Sequence, residues 1–261
     1  MPPPPKCLIS LTTIPSRIHL IRPVLDSLAE QSYAADTILL NVPHRSRRAG
    51  QEYVIPDWIS AFPSVHVRRC RDYGPATKLL GALEFEPDPA ALLITVDDDT
   101  RYPPSMTEIL LNAWHEHGDH VYCSAGFNIS EPLEFAKSIA GHLHGIRGHM
   151  KPVHVAEGYG GVLYRRGLFG DDIFDIEEMP DCVRFSDDLY ISNYLSRAGI
   201  KKFTVETPSF GGIGFWSSRV LPFGFGDDAL HRDASVGTNR TRYAQAVRCF
   251  LDEKSFYLLP V

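Results

Sequence analysis

The sequence predicts an α/β protein built on a mainly parallel, Rossmann-like sheet flanked by helices. Three observations lead there. Apolar strand-like runs alternate with helical patterns as far as residue 125, the rhythm of a doubly wound sheet with crossover helices. Leu92 to Val96 is apolar and β-branched without polar alternation, as a strand buried on both faces requires. That run stops abruptly at Asp97-Asp98-Asp99, and ligands of such sheets sit at the carboxyl ends of strands.

The elements follow in order. Lys6 to Leu11 reads as the first strand, and the loop Thr12-Thr13-Ile14-Pro15-Ser16-Arg17 leaves it. Ile18, Ile21, Leu25 and Leu28 then share one helical face. Thr37 to Val42 and Val65 to Arg69 are the next strands, separated by a polar stretch containing Arg45, Arg47 and Arg48. Tyr73-Gly74-Pro75 breaks the chain before a helix from about Ala76 to Phe85. Ser105-Met106-Thr107-Glu108 has the capping-box pattern and opens a helix to about Trp114. His120 to Ser124 is a further strand, Asp187 to Arg197 a helix, and Lys201 to Glu206 a last strand. Gly126 to Gly161 is rich in glycine and histidine, and Phe210 to Phe225 mixes glycine with aromatics. Neither stretch has a regular period.

Composition narrows the function classes. With 261 residues, 44% hydrophobic and 22% charged, the chain can bury a sizeable core, which excludes a disordered or fibrous protein. One domain over 1–261 is expected, with a C-terminal elaboration. The 26 Lys and Arg against 32 Asp and Glu leave a net charge of -6, so nucleic acid is not an expected partner. Five scattered cysteines without a C-x-x-C spacing exclude a cysteine-based zinc site and fit a reducing compartment. Cys7 to Leu11 is too short for a signal-peptide core. No stretch approaches the roughly 20 apolar residues that span a bilayer, so a soluble protein without a transmembrane segment is expected.

Three adjacent aspartates at a buried strand's end need a compensating partner, and a hard divalent cation with oxygen ligands is the usual one. Mg²⁺ or Mn²⁺ on Asp97 and Asp99 is the expectation. The alternative is a solvated turn or helix cap, although the next helix has its own cap at Ser105. Lys78 at a helix start is placed to reach a diphosphate or to be a surface lysine, and Arg17 to contact phosphate or base or to solvate a helix start. Arg45, Arg47 and Arg48 read as a solvated loop. Ser186 with Asp187 and Asp188 makes either a catalytic carboxylate pair or an N-cap with acidic first-turn residues.

Four motifs in this order resemble the GT-A-fold glycosyltransferases, in particular the small family-2-like members of large viruses and bacterial surface-glycan clusters. They are Ile9 to Arg17, Asp72-Tyr73-Gly74-Pro75-Ala76-Thr77-Lys78-Leu79, the strand ending in Asp97-Asp98-Asp99, which is similar to a D-x-D metal motif, and Gly160-Gly161 with Tyr164-Arg165-Arg166. Ser186-Asp187-Asp188-Leu189, a fifth, resembles the Glu-Asp pair of inverting members, with Asp187 where the family often has Glu. The resemblance covers roughly residues 6 to 206. It implies a nucleotide-sugar-binding half over about 6–125 and an acceptor-binding half over about 126–261. It also implies metal-dependent sugar transfer from a nucleoside-diphosphate sugar, UDP first by family frequency, to a glycan or lipid-linked oligosaccharide. The implied setting is cytoplasmic, at the inner face of a membrane.

The site residues it implies are Asp188 as general base with Asp187 beside it. Thr12, Thr13, Pro15, Arg17, Tyr73, Lys78, Asp97, Asp98, Gly160 and Gly161 are placed on the nucleotide sugar, and Asp97, Asp99 and His231 on the metal. Phe215, Trp216 and Phe223 are placed over the site as a loop that stacks on a sugar face or simply packs on the surface. Two rivals stand beside this reading. A haloacid-dehalogenase-like phosphotransferase also needs Mg²⁺, but its D-x-D-x-T pattern lies on an early strand, and Thr100 here comes one place too soon. A nucleotide-sugar- or glycan-binding module without turnover is the other.

Overall fold

The computed structural model describes residues 5–129, 149–205, 221–222, 226–230 and 237–252. Four strands, β1 (Cys7–Thr12), β2 (Thr37–Pro43), β3 (Val65–Cys70) and β4 (Leu92–Thr95), run parallel. The sheet continues through β5 (Val121–Cys123), β7 (Lys151–Val153), β9 (Val162–Arg165) and β10 (Lys202–Thr204), giving the order β3-β2-β1-β4-β9-β5-β10-β7. β9 enters antiparallel between β4 and β5, β10 is parallel to β5, and β7 closes the edge antiparallel. β6 (Gly126–Phe127) and β8 (Val155–Ala156) form a separate small ladder. The helices are α1 (Arg22–Ala29), α2 (Thr77–Phe85), α3 (Met106–His117), α4 (Asp181–Arg184), α5 (Asp187–Arg197) and α6 (Asn239–Asp252). This is a Rossmann-like α/β fold with a mainly parallel central sheet, as the sequence predicts.

The central strands β1, β2 and β4 are largely apolar because the sheet is covered there on both faces, whereas β3 at the edge carries His66, Arg68 and Arg69. Successive side chains of a strand point to opposite sides. Leu8, Leu39 and Leu93 therefore pack with α2, α5 and α6, while Ile9, Ile38 and Ile94 pack with α1 and α3 on the other face. Each such side chain, fully buried, stabilises the fold by roughly 1.5–3 kcal/mol. On one side of β1 lies β2, the next strand in the chain, and on the other lies β4. The loops leaving β1 and β4 thus diverge from neighbouring strand ends, where a crevice opens.

Two local expectations are corrected. The first helix starts at Arg22 and not near Ile18, because Pro15 to Leu20 is a set of turns in which the Ile14 carbonyl accepts from the N–H groups of Arg17 and Ile18. Pro23, which lacks an N–H, sits in the first helical turn, where that donor is not needed. Ile18 and Ile21 stay in the core all the same. The capping box at Ser105 does not form, since its side chain makes no cap hydrogen bond. Gln31 Oε1 instead accepts from Thr107 N (2.9 Å) and Thr107 Oγ1 (3.0 Å), and Glu108 accepts from Ser32. α3 then runs on past Trp114 to His117 and stops at Gly118, whose φ of +82° ends the helix.

Candidate active site

A cavity of about 550 Å³ opens beyond the carboxyl ends of the parallel strands. Its walls come from the loop after β1, the stretch from Asp72 into α2, the Asp97–Thr100 loop after β4, β8 and the start of α5. The loops after β1, β3 and β4 converge because each begins where a parallel strand ends, and β8 and α5 complete the wall from the second half of the chain.

The three aspartates divide by position. Successive residues leaving β4 alternate, so the Asp97 and Asp99 side chains are 32% and 22% exposed while Asp98 is 11% exposed. Both oxygens of Asp98 are engaged. Thr13 Oγ1 donates to Oδ2 (2.6 Å) and Arg17 Nη1 to Oδ1 (3.1 Å). Asp98 thereby ties the β1 exit loop to the β4 exit loop. Burial raises the Asp98 carboxyl, with Arg17 and Thr13 opposing. Burial, followed by Asp98 and Asp97, pushes Asp99 up to about 7 against the pull of Arg17 and Lys78.

Two buried cations compensate this charge. Arg17 Nη1 also lies 3.3 Å from Asp99 Oδ2, and its Nε and Nη2 each lie 3.3 Å from Asp228 Oδ1. Burial opposes the guanidinium's charge, but Asp98, Asp99 and Asp228 outweigh it and raise the group. Lys78 is buried, which overturns the surface-lysine alternative. Its Nζ donates to Asp97 Oδ1 (2.8 Å) and pairs with Asp187 Oδ2 at 3.1 Å. Burial again opposes the charge, and Asp187, Asp97 and Asp188 together raise the ammonium well above its ordinary value. From below, Ser10 Oγ donates to the Lys78 carbonyl (2.5 Å) and accepts from Asn41 Nδ2 (2.9 Å), so strands β1 and β2 set the position of α2.

Across the cavity, α5 presents Asp187 and Asp188. Ser186 makes no side-chain cap bond, which removes half of the capping alternative. Asp187 is buried against Lys78, whereas Asp188 is half-buried and accepts from Gly158 N at 3.1 Å. Burial, then Asp187, raises the Asp188 carboxyl well above the usual carboxylate range, with Lys78 pulling the other way. A raised carboxyl in a cleft beside a cation is the profile of an acid–base group.

Of the sequence-predicted residues, Thr12, Thr13, Arg17, Tyr73, Lys78, Asp97, Asp98, Asp99, Asp187 and Asp188 all line this cavity. Pro15, Gly160 and Gly161 do not belong to its wall. Gly160 and Gly161 serve packing instead. A Cβ on Gly160 would meet Ser124 Cβ at 3.0 Å, and Gly161, at φ +90°, would bring one within 2.8 Å of Met106 Sδ. Arg47 and Arg48 reach the cavity as well; Arg47 stays exposed as a solvated-loop residue would, whereas Arg48 is half-buried and its Nη2 donates to the Asp228 carbonyl (2.6 Å). His231, Phe215, Trp216 and Phe223 lie outside the described residues.

Sequence reasoning missed Gly158, Tyr102 and Asp228. The Tyr102 hydroxyl accepts from Asp97 N (2.8 Å) and donates to the Tyr159 carbonyl (3.1 Å), joining the β4 exit to the turn that holds Gly158. Only Gly158 could have been found, through its place in the glycine-rich segment Glu157 to Gly161. Nothing local distinguishes Asp228 from its neighbour Asp227.

Among the described residues no group of three or more His, Cys, Asp or Glu side chains is arranged as a metal cage. Asp97 and Asp99 nevertheless fit the Mg²⁺ mode, in which one or two carboxylates act with phosphate oxygens and water. No helix among the described residues is long and apolar enough to cross a membrane.

No known family profile matches the chain, and neither does any curated protein. Among solved structures the chain is similar to a 4-diphosphocytidyl-2C-methyl-D-erythritol synthase, at 12% identity over 78% of this chain and 90% of that one, with a TM-score of 0.50. It is also similar to a CMP:2-keto-3-deoxy-manno-octonic acid synthetase in complex with CTP, at 12% identity over 95% and 99% of the two chains and a TM-score of 0.47. At this identity the first likeness concerns the fold alone, and it agrees with the Rossmann-like sheet described above.

Proposed function

We propose that the protein is a metal-dependent glycosyltransferase of the GT-A type. It moves a sugar from a nucleoside-diphosphate sugar, UDP first among the nucleotides, to a hydroxyl of a glycan or lipid-linked acceptor, with inversion. The observation that carries this reading is the two pairs of carboxylates lining one cavity, Asp97 with Asp99 and Asp187 with Asp188, bridged by the buried Lys78. The assembly of such acceptors places it at the cytoplasmic face of a membrane.

Asp97 and Asp99 would hold Mn²⁺ or Mg²⁺, which when bound supplies compensation for charge growing on the leaving diphosphate. Asp188 is the general base in preference to Asp187, because Asp187 is buried and engaged by Lys78. As the acceptor oxygen bonds to the anomeric carbon, the bond from that carbon to the diphosphate oxygen breaks, and the hydroxyl proton passes to Asp188. The Gly158 N–H fixes one oxygen of that carboxylate and so orients it. The phosphotransferase alternative fits less well, since its aspartates belong on an early strand and these follow β4.

The test is thermal stability with UDP-, GDP- and dTDP-sugars, each with Mn²⁺, Mg²⁺ or EDTA, followed by product analysis on a panel of glycan acceptors. A metal-dependent shift for one nucleotide, with transfer lost in Asp188→Asn and the shift retained, supports the proposal. Binding without turnover would point to a binding module. Release of pyrophosphate from CTP with a phosphorylated acceptor would point to nucleotidyl transfer, as the name of the first solved neighbour suggests for that protein.

A further inference from the structure

We infer that Arg17 holds Asp99, one of the cation-binding carboxylates, in the donor-free protein and exchanges it for phosphate oxygens when the divalent cation and the nucleoside diphosphate arrive together. This rests on the metal-dependent reading above and adds an order of binding to it.

Four aspartates, Asp97, Asp98, Asp99 and Asp228, meet two internal cations in one small volume. Asp97 is taken by Lys78 at 2.8 Å, and Asp99 by Arg17 at 3.3 Å. A divalent cation on these carboxylates competes with Lys78 for Asp97 Oδ1 and with Arg17 for Asp99 Oδ2, and it brings further positive charge against both pairs. The two pairs differ in strength. The contact of Lys78 with Asp97 has the length of a good charge-assisted hydrogen bond, while the four contacts of Arg17 with the described aspartates lie between 3.1 and 3.3 Å, beyond the 2.7–2.9 Å typical of such bonds. The guanidinium is shared among three carboxylates and is bidentate with none of the β4 pair. Asp99 is held by a single 3.3 Å contact, whereas Asp228 is held by two at that distance, so Asp99 is the carboxylate that a competing cation draws away more readily.

Displacement has a cost that a ligand must offset. A buried guanidinium that gives up one carboxylate to a divalent cation beside it is left with less compensation and a new like charge nearby, unless another anion comes in. Asp98 and Asp228 retain the group near its place, and a diphosphate entering the same cavity supplies oxygens to the freed N–H groups. The cation alone provides no such anion. Cation binding without nucleotide is therefore penalised by Arg17, and by reciprocity the nucleotide binds poorly without the cation. A cation that bridges to phosphate couples the two ligands in any case, so the decisive comparison is between Arg17 variants in the absence of nucleotide.

The experiment titrates Mn²⁺ into wild type, Arg17→Gln and Arg17→Lys and follows free Mn²⁺ by electron paramagnetic resonance, with and without UDP, GDP or dTDP. Arg17→Gln should bind Mn²⁺ alone about five- to tenfold more tightly than wild type, and the tightening conferred by nucleotide should shrink by a similar factor. Arg17→Lys keeps the charge that the aspartates require for folding, but one ammonium cannot span three carboxylates. It should give a smaller gain, and it carries the test if Arg17→Gln does not fold. Equal nucleotide-free Mn²⁺ affinity in wild type and the folded variants, with nucleotide-dependent Mn²⁺ binding intact, overturns the exchange and leaves the metal-dependent reading standing. Absence of Mn²⁺ binding in every protein with every nucleotide overturns both.

Discussion

Lys78 Nζ stands 3.1 Å from Asp187 Oδ2, so that an ammonium on the helix after β3 compensates a carboxylate on the helix that carries the proposed base. The same nitrogen donates to Asp97 at 2.8 Å, and one buried charge thus joins both acidic walls of the cavity. Replacing it leaves Asp97, Asp187 and Asp188 facing one another without a cation. Removing one partner of a buried pair costs about 3–5 kcal/mol, and Lys78→Met should lose that much in urea unfolding. A loss under about 1 kcal/mol, the scale of exposed pairs, would show that the ammonium is not buried as described.

The two carboxylates of α5 should separate functionally. Asp188→Asn removes the proton acceptor and should lower kcat by about 10²–10⁴, the range for general base catalysis. Its donor KM should hardly change. Asp187→Asn breaks the ion pair with Lys78 and should act mainly on stability. Equal losses of kcat in the two variants would contradict the assignment of the base.

Gly158 and Gly161 offer a second contrast. A methyl on Gly158 would lie 2.6 Å from Lys78 Nζ and 3.2 Å from Asp188 Oδ1. Lys78 Nζ is the far end of a flexible chain and can shift, so Gly158→Ala should reduce transfer about tenfold or more, a misplacement effect. Its Tm should stay close to wild type. Gly161 has φ +90° and ψ +129°, a region that only glycine occupies readily, and its added methyl would strike Met106. Gly161→Ala should cost about 1–3 kcal/mol or more in denaturant. A neutral Gly161→Ala would falsify the packing role assigned to that residue.

Tyr102→Phe should be informative because nothing but a hydroxyl is removed. The Asp97 N–H and the Tyr159 carbonyl then lose a partner in a buried place, at about 1–3 kcal/mol. The β4 exit loop loses its tie to the turn before β9. Both reduced stability and weaker metal-dependent nucleotide binding are expected, measured by unfolding and by calorimetry. Unchanged nucleotide affinity would mean that Asp97 is positioned by Lys78 alone.

A pH effect follows from Lys202. Burial lowers this ammonium from 10.5 to about 8, while its Nζ donates to the Ser192 carbonyl (3.2 Å) and Ser196 Oγ (2.7 Å) of α5. Between pH 8 and 10.5 the unfolded chain holds the proton more tightly than the native one, so this residue's contribution to stability rises with pH across that window. Buried thiols such as Cys7, pushed up to about 12, pull the total curve the opposite way above pH 9. The difference between wild type and Lys202→Met isolates the lysine. It should change by on the order of 3 kcal/mol from pH 8 to 10.5, and a pH-independent difference would rule the effect out.

The sheet was largely legible in the sequence because its signals are local. Strands such as Leu92 to Thr95 are apolar without interruption since they are covered on both faces, and Asp187 to Arg197 begins and ends where its residues change character. The loops of Thr12 and Asp97 could be expected to lie near each other, and both line the cavity, because strand ends and charge steps are visible in one dimension. Local signals failed where a distant group took over a local role. Gln31 caps α3 in place of Ser105, and Pro23 with the turns at Ile14 delays α1.

Local pattern carried the α/β class, the order of elements as far as residue 125 with the helix at Asp187–Arg197 and the strand at Lys202–Thr204, and the carboxylates that gather at the end of β4. What those carboxylates touch came from the fold. It buried Lys78 between Asp97 and Asp187, turned Asp98 away to Thr13 and Arg17, brought Asp228 onto Arg17, and set Gly158 against Asp188 in place of the glycine pair that follows it. The reason is physical. Periodicity and strand ends are properties of neighbouring residues, whereas the pairing of a buried charge is a search over everything the fold brings within about 4 Å, and no local pattern records its outcome.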